Sequence, residues 1–173
     1  MIITIQKAHL LGAMKIRATS NQRKAMTGIL FESDGRLIAT DGPRMFIGRH
    51  EGIARTVLLK ISGKPPTTFT RAEIDTDKGL ITYFGRQDTR AGVAEVEEME
   101  DTFPEWHRTL AQFTPEKIDT IAFNGDYLTD IFQLAKYFHP HKAVRMEAGR
   151  ISHSPVCKFH LGDACILQMP LNG

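Results

Sequence analysis

The chain has 173 residues, enough to bury a hydrophobic core without disulfide or metal cross-links. Its 22 Lys and Arg residues nearly balance its 20 Asp and Glu residues, so the net charge of +2 selects no class of partner. The two cysteines, Cys157 and Cys165, exclude a disulfide scaffold, and we expect both to be reduced and buried. No stretch approaches the roughly 18 to 20 apolar residues of a membrane span, and the N-terminus does not resemble a signal peptide. We therefore expect a cytoplasmic protein with no membrane partner.

The charged residues are unevenly distributed along the chain. Residues 1–31 contain no acidic side chain but include the basic residues Lys7, Lys15, Arg17, Arg23 and Lys24. Residues 95–101, EVEEMED, contain no basic side chain. This acidic run lacks the glycine-punctuated pattern of an EF-hand loop, so we expect no metal site there.

The first part of the chain predicts a strand, a helix and three further strands. Residues 2–5 are β-branched, whereas residues 7–17 place apolar side chains at helical spacing, with Gly12 weakening the helix. The stretch 28–47, GILFESDGRLIATDGPRMFI, predicts three short strands joined by two Asp-Gly turns, at residues 34–35 and 41–42.

A strand-rich block follows, at about residues 55–100. It contains a predicted strand at 55–61, a breaker at 63–66, a hairpin formed by 72–74 and 80–84, and an acidic strand at 92–99 that we place at a sheet edge. The segment 103–108, FPEWHR, shows neither helical nor strand periodicity. It either packs on the domain surface or forms the wall of a ligand pocket.

The last part repeats the opening order of elements. It predicts a strand at 118–123, a helix that is capped by Asn124 and ends at about Phe138, and strands at 143–147, 156–161 and 164–169. Residues 2–50 and 118–171 thus form two strand-helix-three-strand units. We predict an α+β fold with a mostly antiparallel sheet, two main helices and a single domain over residues 1–173.

Four segments resemble, in the same order, the bacterial sliding clamp family, the beta subunits of DNA polymerase III. They are GILFESDGRLIATDGPRMFI, FPEWHR, IAFNGDYLTDIF and ILQMPL, and they cover about half of the chain. The resemblance implies a DNA-clamp-like fold and a non-catalytic role in DNA replication or repair. The chain is too short for the family's three domains. Its front half resembles a middle domain and its back half the end of the last domain, which implies that an internal portion of the family's chain is missing here.

The resemblance also implies an apolar cleft that binds short peptides of replication and repair proteins. Its walls would be Thr40, Gly42, Arg44 and Met45 from the second turn, Pro104, Arg108 and Thr109 from the linker, and Leu167, Met169, Pro170 and Leu171 from the last strand. Without the resemblance, the same residues would be interpreted as core packing of a terminal strand. Four departures from the family concern the ligands. Pro43 replaces a histidine, Trp106 a smaller aromatic residue and His107 an arginine, and Leu171-Asn172-Gly173 lacks the family's basic residue.

A second hypothesis is a DNA-binding protein that forms a homo-oligomer. The residues facing duplex phosphates would be Lys7, Lys15, Arg17, Arg23, Lys24, Lys136 and Lys142. The alternative is that these side chains only solvate the outer faces of their helices.

An enzyme is the third hypothesis. The chain has no GxSxG elbow, no P-loop and no GxGxxG motif after a strand, so we predict no catalytic residues and no cofactor. His153, Cys157, His160 and Cys165 have metal-compatible side chains, but strand alternation puts His160 and Cys157 on opposite faces. We therefore expect no zinc site.

Overall fold

A computed structural model describes residues 1–52 and 54–171. Asn172 and Gly173, which belong to the C-terminal departure from the family, lie outside the described residues. The strands are Ile2–Gln6 (β1), Ile29–Phe31 (β2), Arg36–Thr40 (β3), Arg44–Arg49 (β4), Val57–Ile61 (β5), Arg71–Asp75 (β6), Leu80–Phe84 (β7), Arg90–Glu98 (β8), Phe113–Pro115 (β9), Arg145–Ile151 (β10), Ser154–Leu161 (β11) and Ala164–Gln168 (β12). The helices are Lys7–Ile16 (α1), Trp106–Ala111 (α2) and Gly125–Phe138 (α3), with 3₁₀ segments at Asn21–Thr27 and Arg86–Asp88.

The strands of the described residues form one open sheet in which every neighbouring pair is antiparallel. Their order is β1-β6-β7-β8-β5-β2-β3-β4-β12-β11-β10-β9. The pairing of β4 with β12 joins the two predicted units into this sheet. The predicted α+β class, with a mostly antiparallel sheet and two main helices, is confirmed.

Both Asp-Gly turns lie where the sequence predicts them. Gly35 and Gly42 have φ values of +87° and +104°, a region that disfavours residues with a Cβ. Helix α3 begins at its predicted cap, where the Asn124 side chain accepts a hydrogen bond from the Asp126 amide. None of the helices in the described ranges is long and apolar enough to cross a bilayer.

The sheet buries apolar side chains on both faces. On one face, α1 and α3 cover the main core, which includes Leu10, Phe46 and Leu134. On the other face, Met45 and Ile47 of β4 belong to a smaller cluster with Trp106 and Leu167. Because side chains alternate along a strand, neighbouring residues of β4 serve different clusters. This alternation decides which predicted site residues meet.

Three local predictions are wrong. Strand β8 lies within the strand order rather than at an edge of the sheet, because its residues 90–95 pair with β7 and its residues 96–98 with β5. Residues 118–123 form no strand: Ile121 and Phe123 pack on the main core, while β9 takes the ladder position beside β10. The 103–108 segment is also partly regular, since α2 begins at Trp106.

The cysteines differ in their burial. Cys157 is buried, as predicted, whereas Cys165 is only partly buried; neither forms a disulfide. Burial raises the pKa of both thiols, which favours the unreactive protonated form.

Candidate functional site

The second Asp-Gly turn and the linker before α2 enclose a small cavity. Its volume is about 130 Å³, and its lining residues are Arg23, Met26, Thr40, Gly42, Met45, Phe103, Pro104, Trp106 and Thr109. The predicted cleft residues Thr40, Gly42, Met45, Pro104 and Thr109 are therefore brought together. They come from segments about sixty residues apart in the chain.

The smaller apolar cluster underlies this cavity. Met45 and Leu167 are register partners on β4 and β12, and both belong to the cluster that includes Ile38 and Trp106. Leu167 is almost fully buried and does not line the cavity, so it supports the floor from below. The floor therefore consists of regular sheet, whereas the walls come from the turn and the linker.

Hydrogen bonds within the turn fix its conformation. The Thr40 hydroxyl donates to the Arg44 carbonyl at 2.6 Å and accepts from the Gly42 amide at 3.1 Å. The carboxylate of Asp41 accepts from the Arg44 amide at 2.9 Å. Pro43 has no amide to donate, but its carbonyl accepts from the Met169 amide at 2.8 Å. The hydrogen bonds of Thr40 thus hold the turn, and only its remaining lone pair is left for a ligand.

Arg44 does not line the cavity, unlike Thr40, Gly42 and Met45 of the same turn. It follows Thr40 and precedes Met45 in the hairpin, but strand alternation points its side chain to the opposite face of the sheet. There its guanidinium binds Asp41 at 2.7 Å and Asp130 at 2.9 Å, and it lies 4.0 Å from the centroid of the Tyr127 ring. Arg44 is 7% exposed. It is a structural residue behind the cleft.

The charges of this ion-pair cluster are mutually stabilised. Burial disfavours the charged form of Arg44, but hydrogen bonds to Asp130 and Asp41 outweigh burial and raise its pKa. Burial likewise acts to raise the pKa of Asp130, whereas hydrogen bonds to Lys15 and Arg44 lower it by more. Both groups are therefore charged at neutral pH.

The other predicted cleft residues lie outside the cavity. Arg108 is exposed on α2 and does not line it. Met169 and Leu171 are 40% and 54% exposed, and Pro170 between them is partly buried. The Met169 amide bonds to Pro43 and the Leu171 amide to Ala122, so this segment runs as an exposed apolar strip past the turn.

Trp106 is a central cleft residue that the residue list from the family resemblance did not include. Its indole Nε1 donates to Glu32 Oε1 at 3.1 Å, and the Arg36 guanidinium lies 4.5 Å from its ring centroid. His107 stacks on the indole at 3.9 Å, and its Nε2 lies 3.0 Å from the same Glu32 oxygen. These contacts hold α2 against β3 and the turn that precedes it. The signal was present in the sequence, since the linker carries the chain's single tryptophan.

Met26 and Phe103 also line the cavity; Phe103 belongs to the segment predicted as a possible pocket wall, whereas no sequence pattern pointed to Met26. A larger cavity of about 550 Å³ adjoins the small one and shares Arg23, Met26 and Gly42 with it. It continues along Pro43 and Ala18. The cleft therefore consists of a small apolar anchor point and a wider, more polar extension.

The predicted DNA-binding residues do not form one surface. Lys15, Arg17 and Lys136 line a groove of about 580 Å³ between α1 and α3, together with Lys64. Lys7 lies near the same groove, with Nζ 5.6 Å from the centroid of the Tyr137 ring. Arg23 lines the apolar cleft instead, because the 3₁₀ segment after α1 carries it away from that helix.

Three of the predicted basic residues have local roles. Lys24 pairs with Asp101 at 3.2 Å. Arg17 donates to the carbonyls of Ile61 at 2.9 Å and Thr27 at 3.3 Å, and burial lowers its pKa. Lys142 lies in the turn after α3, with φ of +53°.

The metal-compatible residues stay apart. Across residues 1–52 and 54–171, no three side chains of His, Cys, Asp or Glu gather in an arrangement that could hold a metal ion. His160 and Cys165 are register partners on β11 and β12, while the His160 Nε2 lies 3.4 Å from Glu147.

Comparison with known proteins gives matches among solved structures. The chain matches no protein-family model and no curated protein sequence. It superposes on DNA polymerase III subunit beta from Borrelia burgdorferi with a TM-score of 0.61 and 12% identity, covering 99% of this chain and 64% of that one. The Thermotoga maritima beta subunit gives a TM-score of 0.58 at 14% identity, covering 99% of this chain and 65% of that one. The Bacillus subtilis sliding clamp gives a TM-score of 0.58 at 11% identity, covering 100% of this chain and 64% of that one.

At these identities the similarity concerns the fold, and the chain spans less than two thirds of the length of each of these proteins. It extends over nearly all of the chain, including both predicted units and the strand-rich block between them. The chain therefore has the fold of the bacterial sliding clamps, the DNA polymerase III beta subunits.

Proposed function

We propose that this protein is a non-catalytic, clamp-like protein of DNA replication or repair that binds a partner's peptide in the cleft described above. The observation that carries the proposal is the cavity itself. The second turn and the linker before α2 meet at one apolar opening that contains two methionines, Met26 and Met45. Methionine side chains adapt to varied ligand shapes, which suits a site that accepts peptides from several partners.

The cavity dimensions indicate how such a peptide would bind. A volume of about 130 Å³ accommodates one apolar side chain, such as leucine, but not a folded element. The flanking peptide residues would extend into the adjoining cavity past Gly42 and Pro43, where Arg23 and Asp41 provide polar partners. Met169 and Leu171 offer further apolar contacts beside the turn. We infer a short extended ligand with one buried apolar anchor.

Peptide titration with a cleft-blocking variant tests this function. A fluorescently labelled peptide rich in Gln, Leu and Phe should bind the unmodified protein saturably, as followed by anisotropy. Thr109→Arg should abolish binding, because Thr109 lines the cavity and the longer side chain would fill it.

The chain offers a matched control for that variant. Thr129→Arg changes a residue that, like Thr109, lies on a helix and bonds its hydroxyl to the carbonyl four residues earlier. It should bind the peptide as the unmodified protein does. Absence of saturable binding by the unmodified protein, or equal binding by Thr109→Arg, would contradict the proposal. Arg44→Ala is unsuitable as a test, because it would break the buried ion-pair cluster.

A second candidate function is nucleic-acid binding on the helix-covered face, with assembly into a homo-oligomer. The favouring observation is the groove between α1 and α3, which gathers Lys15, Arg17, Lys64 and Lys136 around one carboxylate, Asp130. Contact through several cations predicts an affinity that falls steeply with salt. Light scattering would measure the assembly; a monomer at every concentration would contradict the oligomer.

We also propose that residues 1–173 act as a single clamp-like unit in the cytoplasm. The support is the continuous sheet, in which β4 of the first unit pairs directly with β12 of the second. Limited proteolysis that released a stable fragment covering only one unit would contradict this.

A further inference from the structure

The groove between α1 and α3 has an apolar floor as well as a basic rim. Leu11 and Met14 of α1 face Leu134 and Tyr137 of α3 across it. The groove lies over the main core, on the face of the sheet opposite the peptide cleft. With a volume of about 580 Å³ it is much larger than the cavity of that cleft.

Tyr137 presents an exposed aromatic ring in this groove. Its side chain is 40% exposed, and the Nζ atoms of Lys136 and Lys7 lie 4.8 Å and 5.6 Å from its ring centroid. Lys7 is held in place, because its Nζ also donates to the Thr67 carbonyl at 2.7 Å. Both ammonium groups lie over the ring, so a base stacks on Tyr137 by displacing the Lys136 side chain, whose ammonium group then lies beside the base.

The charge of the groove favours a polyanion. Its rim carries four cations and one carboxylate, Asp130. That carboxylate is already paired, with one oxygen bound to Lys15 and the other to Arg44, each at 2.9 Å. Lys64 and Lys136 have no carboxylate partner within 4.0 Å among the described residues. These two side chains remain available to phosphate groups.

The apolar floor distinguishes between two forms of nucleic acid. A duplex stacks its bases inside and turns phosphates and sugars outward, so it would contact the lysines but gain little from Leu11, Met14 or the Tyr137 ring. A single strand exposes its bases, which stack on aromatic side chains and bury apolar surface. The combination of a cationic rim, an apolar floor and an exposed ring therefore matches a single strand.

We propose that this groove binds single-stranded DNA, with a base stacked on Tyr137 and phosphates beside Lys64 and Lys136. The inference rests on the second candidate function, nucleic-acid binding on the helix-covered face, and specifies its ligand. It is independent of peptide binding in the cleft.

Anisotropy titrations at fixed salt test the proposal with three probes. These are an oligothymidylate of about 12 nucleotides, a duplex of equal length, and an abasic phosphodiester of equal length. We expect the oligothymidylate to bind about tenfold more tightly than either of the others, because stacking on a single aromatic side chain can account for such a factor.

Variants localise the interaction. Tyr137→Ala should weaken oligothymidylate binding about tenfold, whereas Tyr137→Phe, which keeps the ring, should bind normally. Lys136→Ala should reduce the slope of log affinity against log salt by about 0.7. Lys117→Ala removes an exposed lysine away from the groove lining and serves as the control.

Several results would overturn the proposal. If the duplex or the abasic phosphodiester bound as tightly as the oligothymidylate, the groove would recognise phosphate charge alone. Poly-glutamate that competes as well as oligothymidylate would show that the groove binds any polyanion, including an acidic peptide. An affinity for oligothymidylate that is unchanged in Tyr137→Ala would exclude stacking on that ring. If no DNA probe binds, the second candidate function fails with the proposal; if the duplex binds best, only the proposal fails. The peptide cleft is unaffected by either result.

Discussion

Arg44 of β4 and Asp130 of α3 are joined by an ion pair, with Nη1 2.9 Å from Oδ2. The second oxygen of Asp130 binds Lys15 of α1 at 2.9 Å, so one carboxylate connects both main helices to the strand beneath the peptide cleft. The two proposed sites therefore lie on opposite sides of a shared ion-pair cluster. A change at Asp130 should affect the stability of the framework that supports both.

We expect Asp130→Asn to lower the free energy of unfolding by about 2 kcal/mol, because it leaves Asp41 as the remaining carboxylate beside the buried guanidinium of Arg44. Urea unfolding measures this as a lower midpoint with an unchanged m-value. Asp119→Asn, at an exposed position, should change the midpoint little. A midpoint for Asp130→Asn equal to that of Asp119→Asn would show that the cluster contributes nothing to stability.

Gly12 and Gly125 should respond in opposite directions to substitution by alanine. A Cβ at Gly12 would lie 2.4 Å from the Phe46 ring, so Gly12→Ala should destabilise the protein by about 1 to 3 kcal/mol despite the better helix propensity of alanine. A Cβ at Gly125 would meet no atom within 4 Å, so Gly125→Ala should stabilise it by up to about 1 kcal/mol. Thermal unfolding compares the two. Stabilisation by Gly12→Ala would contradict the close packing of α1 on β4.

Trp106 should contribute to stability through both its ring and its indole N–H. Trp106→Ala removes a buried side chain and should cost about 3 to 5 kcal/mol. Trp106→Phe keeps an aromatic ring but loses the hydrogen bond to Glu32, which predicts a cost of at least about 1 kcal/mol. Urea unfolding followed by circular dichroism measures both variants. Equal costs for the two would mean that the ring volume is irrelevant, contrary to its place in the smaller apolar cluster.

Two buried histidines should make stability fall as the pH is lowered from about 7.5 to about 5. Burial lowers the pKa of His9 from 6.5; Asp163 opposes this effect and Arg49 adds to it. Burial also lowers the pKa of His50, whereas the hydrogen bond to the Glu32 carbonyl acts to raise it by less. Each imidazole binds a proton more readily in the unfolded chain, so acid favours unfolding.

The measurement is the urea midpoint at several pH values for the unmodified protein and for His9→Gln. The variant removes one titrating group but can still accept the hydrogen bond from the Arg49 amide that His9 Nδ1 receives. It should lose part of the pH dependence. A midpoint that rises or stays constant toward pH 5 would contradict the assignment of neutral, buried imidazoles.

Features set by local chemistry could be predicted from the sequence. The Asp-Gly turns, the short strands beside them and the Asn124 cap depend on a few neighbouring residues, and each lies at its predicted position. Features set by distant pairing could not. Residues 118–123 have the apolar pattern of a strand, but only the folded chain shows that β9 occupies the ladder position beside β10.

The candidate site shows the same division. The family resemblance grouped Arg44 with Met45, although strand periodicity alone places adjacent residues on opposite faces of a sheet. Arg23 lines the cleft because the chain turns after α1, a change of direction that no local pattern indicated. Trp106 could have been included, since a single tryptophan in a predicted pocket wall is a strong candidate for burial there.

The fluorescence of Trp106 provides the most direct test of the proposed peptide cleft. This residue is the only tryptophan in the chain, and it lines the cavity. Adding an unlabelled peptide rich in Gln, Leu and Phe, and free of tryptophan, should shift its emission saturably in the unmodified protein and in Thr129→Arg, but not in Thr109→Arg. An emission spectrum that the peptide leaves unchanged in the unmodified protein would contradict the proposed peptide site.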